Sequence, residues 1–75
     1  MEEVIKKIME ELANDEMVDT GNLHMEERKK LLRRRKAIAI TGTVKTEEAK
    51  AKVTRVAQIH ARDNFDVLDE LTVAG

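Results

Sequence analysis

The chain lacks several residue types that would otherwise suggest a function. Its 75 residues include no cysteine, proline, tryptophan or tyrosine, and one phenylalanine, Phe65. Without cysteine there is neither a disulfide framework nor a thiolate metal site. Without aromatic side chains beyond Phe65, there is no platform on which nucleic-acid bases could stack. No apolar run approaches the roughly 20 residues that span a bilayer, and no signal-peptide core is present.

Catalytic and metal chemistry find little support in the sequence. The two histidines, His24 and His60, have no H-x-x-x-H spacing, and neither a phosphate loop nor a nucleophile–base pair is visible. We therefore predict no enzymatic activity, no metal site and no cofactor. We expect His24 on the solvent side of a strand. We expect His60 partly buried at the end of a helix, where the helix dipole favours a cation.

Charge is strongly segregated along the chain, although its net value is only −1. The first 27 residues carry a net charge of −7, residues 28–36 carry +7 without any acid, and residues 37–75 carry −1. The overall balance therefore predicts nothing about partners, whereas the basic block is a candidate binding segment.

The N-terminal third predicts a helix, a loop and a strand. The helix, Glu2 to Ala13, has one apolar face, formed by Val4, Ile5, Ile8, Met9 and Leu12. Turn-forming residues then predict a loop over Asn14 to Asn22, from which Met17 and Val18 fold back onto the core. Alternation of apolar and polar residues predicts the first strand, roughly Asn22 to Arg28.

The second predicted strand runs from Ala37 to Val44 and contains a glycine. Ile38, Ile40 and Val44 share one face of the strand, and Gly42 holds the fourth place on that face. A glycine inside a strand usually marks a bulge or a close approach by another backbone. We expect a helix to cross close to the sheet at Gly42 and assign this residue a structural role.

The C-terminal third predicts a second helix and a third strand. Thr46 is a good N-cap for a helix that runs to about His60 or Ala61, with a core-facing stripe of Ala49, Val53, Val56, Ala57 and His60 and with Ile59 on its flank. Asp63-Asn64 would end the helix in a left-handed cap. The strand is Phe65 to Val73, and the consecutive apolar pair Val67-Leu68 predicts a bulge or irregular start near Asp66.

These elements predict a single α+β domain over residues 1–75. The order αββαβ requires a three-stranded mixed sheet with both helices packed on one face. The basic block would form an extended hairpin at about residues 28–36. It contains no tight-turn residues and its intrinsic propensity is helical, so a short helical excursion between the strands stays open as the alternative.

The pattern resembles the BON domain, a small bacterial module of osmotically induced and nodulation-associated proteins. The resemblance covers nearly the whole chain. It rests on Leu12, Asn14-Asp15, Leu23, the strand Ile38-Ala39-Ile40-Thr41-Gly42-Thr43-Val44, the helix start Thr46-Glu47-Glu48-Ala49-Lys50 and the segment Val67 to Val73. The chain departs from the family in its longer basic hairpin and in Asn64-Phe65, where Gly-Val is common. The resemblance implies a non-catalytic module that contacts phospholipid or membrane surfaces, mostly in the bacterial envelope.

The basic block is the candidate site for an anionic surface. Its members are Arg28, Lys29, Lys30, Leu31, Leu32, Arg33, Arg34, Arg35 and Lys36. The first hypothesis is contact with anionic phospholipid, in which Leu31-Leu32 enter the interface. The alternative is a protein–protein contact or self-association along a strand edge. The block could also be a solvated projection without a binding role, and nucleic-acid binding is the least favoured hypothesis. We expect a cytoplasmic protein if Met1 is the native start, and a periplasmic or envelope location if the chain is an excised domain.

Overall fold

The computed structural model describes residues 2–29 and 36–74. Its helices are α1 (Glu2–Ala13) and α2 (Glu47–Ala61), and its strands are β1 (Leu23–Lys29), β2 (Lys36–Val44) and β3 (Phe65–Val73). A short 3-10 helix, Thr20–Asn22, leads into β1. The predicted order αββαβ is confirmed, and each boundary falls within one residue of its predicted position.

The sheet has the order β1-β2-β3, with β2 in the centre. β1 pairs antiparallel with β2, from Leu23 opposite Gly42 to Lys29 opposite Lys36. β3 pairs parallel with β2, from Phe65 opposite Lys36 to Val73 opposite Val44. The sheet is therefore mixed, as predicted, because the helical crossover through α2 returns the chain parallel to β2.

Both helices pack on one face of this sheet, as predicted. Ile8 and Leu12 of α1 and Val53 of α2 are almost fully buried. They join a cluster with alternate residues of the strands, which include Leu23, Met25, Ile38, Ile40, Val44 and Leu71. The opposite face of the sheet, which we call the open face, carries the intervening residues, because side chains alternate along a strand.

Gly42 allows a close backbone approach, but the approaching backbone is not a helix. Its φ is +122°, a value that residues with a side chain rarely adopt. A Cβ on Gly42 would overlap the carbonyl oxygen of Asn22 and lie 3.1 Å from the Cα of Leu23. The expectation of a crossing helix is therefore wrong, since the start of β1 makes the close approach.

The bulge predicted near Asp66 is also wrong. Each residue of β3 pairs with one residue of β2 without interruption. Val67 lies on the helix-covered face with Leu71 and packs against the core, while Leu68 lies on the open face opposite Ala39. Two consecutive apolar residues are accommodated because both faces of β3 offer partly buried positions.

The two ends of α2 have different capping residues. The Thr46 hydroxyl accepts a hydrogen bond from the Ala49 N–H at 3.1 Å, which confirms the predicted N-cap. At the other end the positive φ belongs to Arg62 (φ 49°, ψ −133°) and not to Asn64. The Asn64 N–H bonds to the Ala61 carbonyl at 3.0 Å, so Arg62 holds the second position of a turn with type II′ angles.

Two aspartates fix the loop between α1 and β1. The Asp15 carboxylate accepts from the Met17 N–H at 2.9 Å and forms an ion pair with Lys52 of α2. Asp19 caps the 3-10 helix by accepting from the Gly21 N–H at 3.0 Å. Of the two apolar loop residues expected in the core, Val18 is buried but Met17 is 43% exposed.

Candidate anionic-surface binding site

β1 ends and β2 begins within the basic block, at one end of the sheet. β1 and β2 stay paired until Lys29 meets Lys36, so the arms of the predicted hairpin are antiparallel strands at these residues. Lys30, Leu31, Leu32, Arg33, Arg34 and Arg35 lie outside the described residues. The choice between a hairpin and a short helix falls on the same residues and stays open.

Arg28 forms an ionic bridge across the open face. Its Nη1 lies 2.8 Å from Glu70 Oε2 of β3, and its Nη2 lies 3.1 Å from Glu26 Oε1 on its own strand. Because β2 separates β1 from β3, the guanidinium passes over the central strand, whose Ala37 and Ala39 are fully buried. The hydrogen bonds to Glu70 and then to Glu26 raise the pKa of Arg28 above its ordinary value. An anionic ligand would therefore compete with two carboxylates for Arg28.

The two described lysines of the block differ in their surroundings. Lys36 Nζ lies 3.2 Å from Glu27 Oε1, and half of the Lys36 side chain is exposed. Lys29 is exposed and makes no ion pair with any residue in the described ranges 2–29 and 36–74. Among the described members of the block, Lys29 is thus the cation most available to a ligand.

The C-terminal end of α2 lies at the same end of the sheet as Lys29 and Lys36. Phe65, the first residue of β3, pairs with Lys36, and only the turn after Ala61 separates Phe65 from α2. The turn adds Arg62, which is exposed, to this end. We call the region formed by Lys29, Lys36 and the α2–β3 turn the basic end.

The last helical turn also exposes Ile59, which the sequence pattern placed beside the core. The described chain has two exposed large apolar residues, Met17 and Ile59, and Ile59 is the more exposed at 56%. Arg55 stands one helical turn before Ile59 and is also exposed. Arg62 follows the end of α2 with a positive φ and is therefore not on the same helical row. The spacing was visible in the sequence, but the exposure of Ile59 was not.

The histidines occupy opposite sides of the sheet. His24 lies on the open face with 71% of its side chain exposed, as expected. His60 is half-buried as expected, but its Nε2 lies 3.1 Å from Glu11 Oε1 of α1 and so links the two helices. In the part of the chain that the structure describes, no group of three histidine, cysteine, aspartate or glutamate residues is placed to hold a metal ion.

Comparisons with protein-family models, with curated proteins and with solved structures find no match to this chain. The BON resemblance therefore rests on the residues quoted above and stays a prediction. Neither α1 nor α2, the helices in the described ranges, has the length and hydropathy needed to cross a membrane.

Proposed function

We propose that the chain is a non-catalytic module that binds anionic phospholipid surfaces through the basic block. One observation carries this proposal: the paired strands end at Lys29 and Lys36. The six residues between them comprise four basic residues and two leucines, without an acid. The segment that joins these two strand ends is therefore densely positive and contains two apolar residues.

The magnitude of the attraction follows from the number of available cations. A basic residue close to an anionic surface contributes about 1 kcal/mol at physiological ionic strength. Lys29 and the four basic residues of 30–35 would supply about 5 kcal/mol, which corresponds to a dissociation constant in the sub-millimolar range. Arg28 and Lys36 add less, because Glu26, Glu70 and Glu27 already bind them.

Co-sedimentation with vesicles tests the proposal. Vesicles of phosphatidylcholine with a third of phosphatidylglycerol should pellet the protein, and vesicles of phosphatidylcholine alone should not. Binding should weaken as salt is raised, because the attraction is between exposed charges and is screened. Equal sedimentation with both compositions, or none with either, would contradict the proposal.

A second candidate, self-association, is favoured by the charges along β1. An antiparallel pairing of two β1 strands centred on Glu27 would place Glu26 opposite Arg28 of the second copy at two positions, and such pairs favour cross-strand pairing by about 0.2–1 kcal/mol each. The central Glu27 would face Glu27 of the second copy, which opposes the pairing by a similar amount, so the net gain is that of about one pair. β3, the other edge of the described sheet, contains acidic but no basic residues and lacks this complementarity. Sedimentation velocity at two protein concentrations tests this candidate, which predicts a concentration-dependent coefficient.

A further inference from the structure

A shallow groove of about 520 Å³ runs along the outer side of α2, away from the sheet. Because its lining residues are spaced by one helical turn, they share one face of the helix. All of them except Val56 are exposed. The lining, which we call the α2 groove, comprises Glu48, Ala51, Lys52, Arg55, Val56 and Ile59.

The charges of the α2 groove are self-complementary. Glu48 and Arg55 lie three residues before and four residues after Ala51. If two α2 helices packed antiparallel about a twofold axis beside Ala51 and Lys52, Glu48 of each copy would stand opposite Arg55 of the other. Lys52 forms an ion pair with Asp15 of its own chain, which limits the repulsion between the two Lys52 side chains at the axis. The acid in the groove thus gains a cation as its partner.

The same packing brings together the two exposed large apolar residues of the described chain, Ile59 and Met17. Ile59 would reach one turn beyond Glu48 of the second copy, past the N-terminus of its α2. Met17 lies at that place, since it borders a pocket with residues 44–45. The Asp15 carboxylate accepts from the Met17 N–H and forms an ion pair with α2, so it holds this loop beside the groove. Two contacts between Ile59 and Met17 would therefore flank the two ionic pairs.

We propose that the α2 groove is the interface of a twofold-symmetric dimer of this chain, in which the two α2 helices pack antiparallel. A second copy fits the groove because its charges and its apolar residues recur at matching positions. An anionic surface would instead be repelled by Glu48, and a purely apolar partner would leave Glu48 and Arg55 desolvated without compensation. The small side chain of Ala51 at the axis suits the 8–10 Å that separate packed helices. The inference uses neither the basic block nor the edge of β1.

The size of the contact predicts a weak dimer. α2 has 15 residues and is therefore about 22 Å long. One helix face of this length and the adjoining loop bury less than the roughly 800 Å² per partner of a standard interface. We expect a dissociation constant in the micromolar range or weaker, so the measurements need protein concentrations up to about 1 mM.

Charge reversal tests the two ionic pairs by sedimentation equilibrium. Glu48→Arg and Arg55→Glu each convert both pairs into like-charge contacts, so each should raise the dissociation constant of the dimer by about tenfold. The double variant, Glu48→Arg with Arg55→Glu, restores opposite charges across the axis and should bring the dissociation constant back to within about threefold of wild type. An equimolar mixture of the two single variants should form a heterodimer, because both of its pairs are again opposite in charge.

Two matched controls change the same charges elsewhere. Glu3 lies in the first turn of α1 as Glu48 does in α2, and Arg62 is exposed but follows the end of α2. Glu3→Arg and Arg62→Glu should leave the dissociation constant unchanged. Thermal unfolding checks that each variant keeps its fold, which is expected because all four side chains are exposed.

Substitution of the apolar residues tests the second part of the interface. Ile59→Asn and Met17→Asn should each raise the dissociation constant by about tenfold, since each removes apolar area from two symmetric contacts. Neither substitution opens a cavity in the core, because both residues are exposed in the monomer. An effect of Ile59→Asn without any effect of Met17→Asn would contradict the antiparallel arrangement.

Three results would overturn the inference. They are a wild type that stays monomeric up to about 1 mM, a double reversal no better than the single ones, and losses of equal size in the controls. Association that no α2 substitution weakens would place the contact at another surface, such as the edge of β1, and would also overturn it. None of these measurements contains vesicles, so their failure leaves the proposed lipid binding standing, and a failure of lipid binding leaves the dimer standing.

Discussion

Replacing Gly42 by alanine should remove a large part of the stability of this fold. The Cβ would overlap the carbonyl oxygen of Asn22, and the backbone would keep a φ of +122° that alanine disfavours. Asn22 is held in place by its N–H bond to the Asp19 carbonyl at 3.1 Å, and the adjoining Leu23 is buried. The overlap therefore cannot be relieved by rotation of a side chain.

The magnitude follows from two costs. A residue held in a disfavoured backbone region costs about 1–3 kcal/mol. Forcing extra atoms into a packed site costs about 1–3 kcal/mol more. The two costs sum to about 2–6 kcal/mol, which is a large share of the total stability of about 4–11 kcal/mol expected for a domain of this length. The larger side chain of Gly42→Val should cost at least as much.

Circular dichroism during heating measures this effect. For a domain of 60–100 residues each kcal/mol moves Tm by about 4–8 °C, so a loss of 3 kcal/mol predicts a decrease of about 12–24 °C. Gly21→Ala is the matched control: its Cβ would meet only a side-chain oxygen of Asp19, at 3.1 Å, and it should change Tm by a few degrees at most. A Tm for Gly42→Ala within a few degrees of wild type would refute the close backbone approach.

Three further predictions concern Arg62, Asp15 and Arg28. Arg62→Gly should raise stability by about 1 kcal/mol in thermal unfolding, because it relieves a positive φ, while Asn64→Gly should not. The hydrogen bond from Lys52 and then that from Met17 hold the pKa of Asp15 below its ordinary value of 3.8. The contribution of Asp15 to folding stability is therefore complete above pH 3.8 and is lost as the pH falls further. The difference in stability between wild type and Asp15→Asn should disappear below pH 3.8 in acid titrations, and a constant difference would contradict this. Arg28→Gln should clearly lower Tm and should weaken vesicle binding little, because Arg28 already binds Glu70. An unchanged Tm with a clear loss of vesicle binding would instead make Arg28 a ligand contact.

The sequence predicted the helices and strands well because each has a period that local physical chemistry explains. α1 has an apolar stripe, β1 alternates, and Thr46 marks the start of α2 within one residue. Gly42 was identified as a position of close approach, because glycine in a strand has few other uses. These features depend on residues that are near one another in the chain.

Features that depend on tertiary contacts were not predictable in the same way. Arg28 and Glu70 are 42 residues apart, and only the strand order brings them together. Arg62 has the positive φ that was predicted for Asn64, because the turn places its second position one residue after α2. Ile59 and Met17 were expected near the core and are exposed, since a periodic stripe has edges whose burial depends on the neighbouring element.

The central proposal is that the cations of the basic block other than Arg28 and Lys36 bind an anionic bilayer and contribute little to folding. The most direct test is one variant, Arg33→Gln with Arg34→Gln and Arg35→Gln, measured for Tm and for sedimentation with phosphatidylglycerol vesicles. We predict a Tm within a few degrees of wild type and a loss of vesicle binding of about two orders of magnitude, from about 1 kcal/mol for each removed charge. Unchanged binding, or a large fall in Tm, would contradict the account.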